Sequence, residues 1–434
     1  MTSMFLRLRS LSNISGIHLV LGSLAVFYIG VSALFAPTDV VGDEERYLAY
    51  AKNLANGFYV SPEYPDFTNG PGYPLVIMPF VALEFPLWVI RGLNIGFLLA
   101  AGYLFFKTLR LFTSEKWSLV FLLFLALNPV MLRYLAHAKT EALSTLLVCG
   151  FIWAFANLLN DQSRSRKWMI RTACFLFGLI MVRVIFGYVA MAAVVLVPLL
   201  CWLVGNRARI LTATLPFAFS LVLCLPWLAY TYHHTHKFPT WSTNGGELLY
   251  WITSPYPGEW GSWFSIDSLP ENPQAFENHI AACVTVEALP FAERDAKWVE
   301  FAKANFHATP SATVRNLAAN FCRILFGFPN SHRGERLATI FWVIPSALVL
   351  GMMLFAVYPT IRVWKTLPLS IKVPALCAAI FFGGSVLLPA EPRYLLPIVP
   401  IVLLWLAYIY GNVVSFEIKT VSTADEWGSR APSA

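Results

Sequence analysis

Charge is what this sequence has least of: Asp, Glu, Lys and Arg together make up 13% of its 434 residues. Soluble domains carry about 25%, and with 57% hydrophobic residues and a mean hydropathy of +0.61 this chain falls outside their range. A water-exposed globular fold is excluded, and a chain embedded in lipid is the natural reading. The compact motifs that announce a chemistry are missing too, with no GxxxxGK[ST] phosphate loop, no GxSxG nucleophile elbow and no HExxH zinc site. Nor is there an internal repeat or a low-complexity tract, which removes solenoids and arrays. The seven cysteines contain no CxxC pair, and Cys149, Cys174, Cys201, Cys224 and Cys377 lie inside apolar runs as small hydrophobes do. Only Cys283 and Cys322 fall in a long polar segment, and nothing in the sequence decides whether they pair. The net charge of +7 does not point to nucleic acid, because the basic residues are scattered between apolar runs.

What is present is a series of apolar runs near the roughly 20 residues needed to cross the hydrocarbon core. Ten qualify: 16-36, 87-109, 117-135, 141-160, 169-184, 186-204, 209-231, 338-361, 371-389 and 394-411. The first follows Arg7 and Arg9, but it exceeds the roughly 7 to 15 residues of a signal-peptide core, so it is read as a retained helix. The run Tyr73 to Phe85 is too short to span and is read as a helix at the interface. With a cytoplasmic N-terminus, KTLRLFTSEK, NDQSRSRKWMIR, GNRAR and IRVWKTLPLSIK all become cytoplasmic loops, and all are net basic, as the positive-inside bias requires. The expected organisation is an N-terminal transmembrane module, 1-231, with an amphipathic first external loop at 37-86. An external loop domain at 232-337, C-terminal transmembrane helices at 338-411 and a cytoplasmic tail at 412-434 follow. The fold class is all-α and polytopic, with about ten transmembrane helices.

The unusual ionisable residues fall on the external face. In VVGDEERYLAYAKNLANGFY, Asp43 and Glu44 open a stretch in which Tyr47, Leu48, Ala51, Leu54 and Ala55 recur at helical spacing, and Asp43 also reads as a helix N-cap. RYLAHAKTEALSTLL gathers Arg133, His137, Lys139 and Glu141 at the mouth of two spans. Thr140 and Glu141 are read there as a helix start and Lys139 as snorkelling to water, which leaves His137 without a role. Arg183, in LIMVRVIFGYV, stays charged within an apolar run and needs an anion or acceptor. In LLPAEPRYLLPIVP, Glu391 and Arg393 are placed to interact across a proline-fixed turn. His233, His234 and His236 lack identifiable partners for a metal, so no metal site is assigned. Helical periodicity in ERDAKWVEFAKANFHATPSATVRNL breaks at Pro310.

Taken together, GDEERYLAYAKNLANGFY, GPGYPLVIMPF, LNPVMLRYLAHAKTEALSTLL, ERDAKWVEFAKANFHATPSATVRNL and EPRYLLPIVP resemble, in order, segments of the GT-C glycosyltransferases. The likeness is to glycosyltransferase family 39, the protein mannosyltransferases and bacterial aminoarabinose transferases. That resemblance implies a GT-C-like helical bundle in a bacterial inner membrane, working on the cell envelope from the periplasmic or extracellular face. The implied donor is a polyprenyl-phosphate-linked sugar, and the acceptor a glycolipid, polysaccharide or protein. It implies Asp43 as the catalytic carboxylate, Glu44 as the second acid of the pair and Glu141 as the acid of the second external loop. Arg183 and Arg393 are the candidates for the lipid phosphate, with Lys139, His137, Arg46 and Tyr394 beside them. No cofactor is certain, and a divalent metal ion stays open because some relatives use one. The chain is shorter than the protein mannosyltransferases, which favours a glycolipid or polysaccharide acceptor. A transporter or flippase is the main alternative, although it predicts repeated halves that this sequence lacks. A scaffold, with Asp43 and Glu44 as ordinary capping charges, is the third.

Overall fold

The computed structural model describes residues 16–264, 273–331, 340–389 and 391–414. In chain order the helices are α1 (Gly16–Phe35), α2 (Asp43–Ala55), α3 (Gly72–Ala82), α4 (Leu87–Leu109), α5 (Glu115–Ala126), α6 (Pro129–Leu135) and α7 (Glu141–Asn160). Then come α8 (Ser165–Val182), α9 (Ile185–Leu203), α10 (Ile210–Leu223), α11 (Leu225–Thr235), α12 (Gly245–Ile252) and α13 (Ile280–Glu287). The last are α14 (Phe291–Ala308), α15 (Pro310–Phe326), α16 (Ile340–Arg362), α17 (Leu369–Val386) and α18 (Val399–Asn412). Among the described residues the only strand-like pairing is an isolated bridge between Ser61 and Tyr64. The protein is thus an all-helical, polytopic membrane protein.

Six of these helices, α1, α4, α7, α9, α16 and α17, are long and apolar enough to cross a membrane. Two expected spans are instead bent pairs, α5 with α6 at 53° and the segment Arg207–Leu223 with α11 at 44°. The sequence explains both breaks. Asn128 precedes Pro129, and its side chain accepts from the backbone N–H groups of Val130 and Met131, so a new helix is capped where the old one stops. Pro226, near the start of α11, cannot donate to the helix before it. Two more expected spans depart from a plain apolar helix. α8 carries Arg166, Lys167 and Arg171 within its 18 residues, and α18 is only 14 residues long. α3 covers the expected short run, and its 11 residues rise about 16 Å, too little to span.

Packing centres on α7, whose Phe151 and Phe155 meet Phe217 of α10 in a shared core with Phe105 and Phe121. Gly150 lets α8 approach, since a Cβ there would stand 2.2 Å from the Phe175 ring. Helices α1 and α16 lie at the periphery and turn Val26, Leu34, Leu354 and Phe355 outward, as lipid-facing residues should. Between α11 and α16 the long segment forms its own small core from Tyr250, Trp251, Phe276, Cys283, Trp298 and Ala302. Beside it Glu259 accepts from Ser254 Oγ (2.5 Å) and Asn278 Nδ2 (3.1 Å) and sits 2.9 Å from His279 Nε2. Helix α15 starts at Pro310, where the periodicity breaks. It ties this region to the bundle through Asn316, which donates to Ile252 and Ser254 carbonyls, and Asn320, which donates to those of Ser385, Val386 and Leu388. Cys283 on α13 is buried, Cys322 on α15 is half-buried, and both are free thiols. The tail beyond residue 414 lies outside the described residues.

Candidate active site

Four connections meet at one end of the bundle: residues 36–43 before α2, 136–140 before α7, Arg183–Val184 between α8 and α9, and 391–398 before α18. Helix α4 holds the first two in place. Arg91 Nε and Nη2 donate to the Glu44 carboxylate at 3.0 and 2.9 Å, and the same guanidinium donates to the carbonyls of Pro37 (2.6 Å) and Asp39 (2.8 Å). Three residues on, Asn94 donates to the carbonyls of Leu135 (3.0 Å) and His137 (2.6 Å). Residues three apart share a helix face, so one face of α4 locates both connections.

Glu44 joins them to each other. It is fully buried and accepts from the backbone N–H groups of Val41 and Ala138 as well as from Arg91. Burial pushes its carboxyl up, but Arg91 and the two backbone donors hold it well below the usual carboxylate range. Its four lone-pair directions are taken, so the geometry leaves Glu44 as an anchor with nothing free to offer a substrate. His137 Nδ1 stands 3.8 Å from Glu44 Oε2, too far for a hydrogen bond.

Asp43 differs from its neighbour. The expected N-cap belongs to Gly42, whose φ of +59° suits glycine, and Asp43 is the first helical residue with no capping bond. Its carboxylate meets Arg393, whose Nη1 donates to Oδ2 at 2.6 Å, and the side chain keeps 23% exposure. Burial raises the Asp43 carboxyl, while Arg393, Lys139 and Arg46 outweigh it and leave it below its ordinary value.

Glu141 opens α7 at 2% exposure. Its Oε1 accepts from Arg183 Nη2 at 2.9 Å and lies 3.7 Å from Arg393 Nη1, whereas Oε2 makes no hydrogen bond among the described residues. Asp43 and Glu141 therefore flank the same guanidinium nitrogen. Arg183 is aimed here because it ends α8, and Gly70 and Gly72 let the first loop lie against that end. A Cβ at Gly70 would stand 2.2 Å from the Met181 carbonyl oxygen, and one at Gly72 2.7 Å from Val182 N. Aromatic faces hold the cations without cancelling them: Arg393 lies over Tyr134 (5.8 Å) and Tyr394 (5.4 Å), Arg183 over Tyr394 (5.8 Å) and Lys139 over Tyr134 (5.5 Å). Lys139 is buried and makes no ion pair among the described residues.

Asp43, Glu141, Arg183, Arg393, Lys139 and Tyr394 thus meet as one group. Arg46, on α2 with Asp43, has its Nη1 3.4 Å from Asn69 Oδ1 and adds positive charge near Asp43 without bonding to it, and Glu391 does reach Arg393 Nε, at 3.1 Å. His234 packs on Tyr230 and Phe67. Arg91, Asn94 and Tyr134 are the members that the sequence reading passed over. Arg91 carried a signal, because it is a charge inside an apolar span, as Arg183 is. Among the described residues no three His, Cys, Asp or Glu side chains gather closely enough to hold a metal ion. Between Asp43 and Glu141, where a cation would bridge two carboxylates, stands Arg393.

No protein family and no curated protein matches the chain. Among solved structures it aligns with the crystal structure of ArnT from Cupriavidus metallidurans bound to undecaprenyl phosphate. The two share 13% identity at a TM-score of 0.44, over 91% of this chain and 78% of that one, which is too little similarity to assign a family.

Proposed function

We propose that this chain is a GT-C-type membrane glycosyltransferase that moves a sugar from a polyprenyl-phosphate donor to an acceptor hydroxyl, with Asp43 as general base. One observation carries the reading. A partly exposed carboxylate, Asp43, converges with Arg393, Arg183 and Lys139 at one end of a lipid-embedded bundle. Asp43 takes the acceptor proton as the hydroxyl oxygen attacks the anomeric carbon, and the bond from that carbon to the phosphate oxygen breaks with inversion. The electron pair leaves on the lipid phosphate, where Arg393, Arg183 and Lys139 oppose the growing charge. Glu44 acts by anchoring, and Glu141 by holding the guanidinium groups. The basic short loops support an external, periplasmic orientation of this face. The modest long segment supports a glycolipid or polysaccharide acceptor over a protein.

The test is transfer of labelled sugar from polyprenyl-phosphate donors to membrane glycolipids in proteoliposomes. Asp43→Asn should fold as the native chain does and lose about 100-fold or more of its transfer rate, the usual cost of removing a general base. Equal transfer by both proteins would remove Asp43 from the chemistry. The bent pairs at 53° and 44° favour a transporter as the second reading, since broken spans line many transport sites. That reading gains if labelled lipid crosses the bilayer with no new glycosidic product.

A further inference from the structure

We infer that Arg393 is a latch on Asp43, and that Glu141 is the positioning residue that receives Arg393 when a lipid phosphate enters; the inference rests on the glycosyltransferase reading of this site. Arg393 Nη1 is 2.6 Å from Asp43 Oδ2, so the carboxylate that would serve as base is held, through one of its two oxygens, by a guanidinium that lowers its basicity. The same nitrogen is 3.7 Å from Glu141 Oε1, and a shift of about 1 Å brings it within hydrogen-bonding distance. Glu141 has capacity for a second guanidinium because Oε2 is buried and unbonded among the described residues. Oε1 holds one bond, from Arg183, and keeps a second acceptor position for Arg393 Nη1, while the unpaired Oε2 leaves the buried carboxylate short of donors and so favours the approach. The faces of Tyr134 and Tyr394 lie under Arg393 and tolerate a slide, because a cation over a ring has no single bonding direction.

Phosphate supplies the trigger. An arginine forms paired, charge-assisted bonds to phosphate oxygens, so a donor phosphate arriving beside Arg183 and Lys139 competes directly with Asp43. The groups facing Asp43 are Arg46 on its own helix, Lys139 from 136–140 and Arg393 from 391–398, with Glu141 and Arg183 behind Arg393 and Tyr47 one turn along. Glu44 is turned away onto Arg91. Once Arg393 leaves, Lys139 and Arg46 remain, burial is opposed less, and the carboxyl rises toward a stronger base. The acceptor therefore meets the stronger base only after the donor is seated, which makes the productive order donor first.

Carbodiimide modification of Asp43, read by peptide mass spectrometry on the full chain in neutral-lipid nanodiscs at pH 6, tests this directly, because the reagent attacks the protonated carboxyl. Farnesyl phosphate should raise the melting temperature and increase Asp43 modification about threefold or more, as the carboxyl rises and its protonated fraction grows. A raised melting temperature with unchanged or reduced modification overturns the latch and leaves the glycosyltransferase reading standing. No thermal response to farnesyl phosphate overturns both. Inorganic phosphate producing the same rise keeps the latch and assigns the trigger to the phosphate group alone. A rise seen only on adding phosphatidylglycerol to the nanodiscs assigns it to bilayer headgroups and overturns a donor-driven latch. Glu141→Gln should still bind farnesyl phosphate but lose the rise, and retention of the rise overturns the receiving role of Glu141. If that variant does not fold, the native comparison decides the latch by itself.

Discussion

Arg91 and Arg183 both lie in apolar runs, and a guanidinium that cannot shed its charge must find acceptors at that depth. Arg183 finds Glu141; Arg91 finds Glu44 and two carbonyls, making four bonds in all. Removing one partner of such a buried pair strands the other, at a cost of about 3–5 kcal/mol. Arg91→Ala should therefore lower thermal stability clearly, and Arg91→Lys should not restore it, because an ammonium cannot reproduce the planar fork. Full stability of Arg91→Ala in a detergent melt would remove the anchor from the argument. Acid should act on the same groups. Asp43, Glu44 and Glu259 titrate below their ordinary values of 3.8, 4.5 and 4.5, so below those values the unfolded chain binds more protons than the folded one. Their stabilisation is complete above about pH 5 and is lost as pH falls through the depressed folded values, so the melting temperature should drop between pH 5 and pH 3. An unchanged melting temperature over that interval would show that these carboxyls are not held as described. The sequence singled out Asp43, Glu44 and Arg393 alike, whereas which of the two carboxylates has its acceptor positions filled is visible only in the structure.

At the scale of elements, the helices were legible because their causes are local. Apolar length, Pro129 after Asn128 and Pro310 after Thr309 all act within a few residues. Bending was not legible in the same way. The break at Asn128–Pro129 inside the expected span 117-135 is local, but the 53° between its halves is not, because the angle depends on what the second half packs against. The close approach of Gly70 and Gly72 to the end of α8 is a contact between elements too, and it positions Arg183. Gly72→Ala should force the loop and α8 apart, weaken the Arg183–Glu141 contact and reduce transfer by about 10-fold or more, following the sensitivity of catalysis to misplacement by 1 Å. The same substitution at Gly92, where nothing lies within 4 Å of an added Cβ, is the matched control and should be near neutral.

For the whole molecule, orientation is the property that composition proposes most directly. The short loops rich in Lys and Arg predict that alkaline phosphatase fused after Gly258 is active in a bacterial host, while the same enzyme fused after Ser163 is inactive. The reverse pattern would place the Asp43 face in the cytoplasm and end the external-donor reading. Helix α15 makes a second prediction at this scale. Asn320→Ala should release the long segment from the end of α17 and speed proteolysis within residues 245–264, with the spans left intact.

By itself the sequence determined that this chain lives in lipid, that it is helical, where most of its spans run, and which ionisable residues lack an ordinary reason to be there. Those properties follow from composition and from periodicity over a few turns, which physical chemistry reads locally. Only the tertiary structure decided the partnerships: Glu44 with Arg91, 47 positions away, and Asp43 with Arg393, 350 positions away. Charges separated so far along the chain meet only because helix packing brings four connections to one end of the bundle. No local pattern encodes which of several carboxylates will have its acceptor positions filled and which will keep one open.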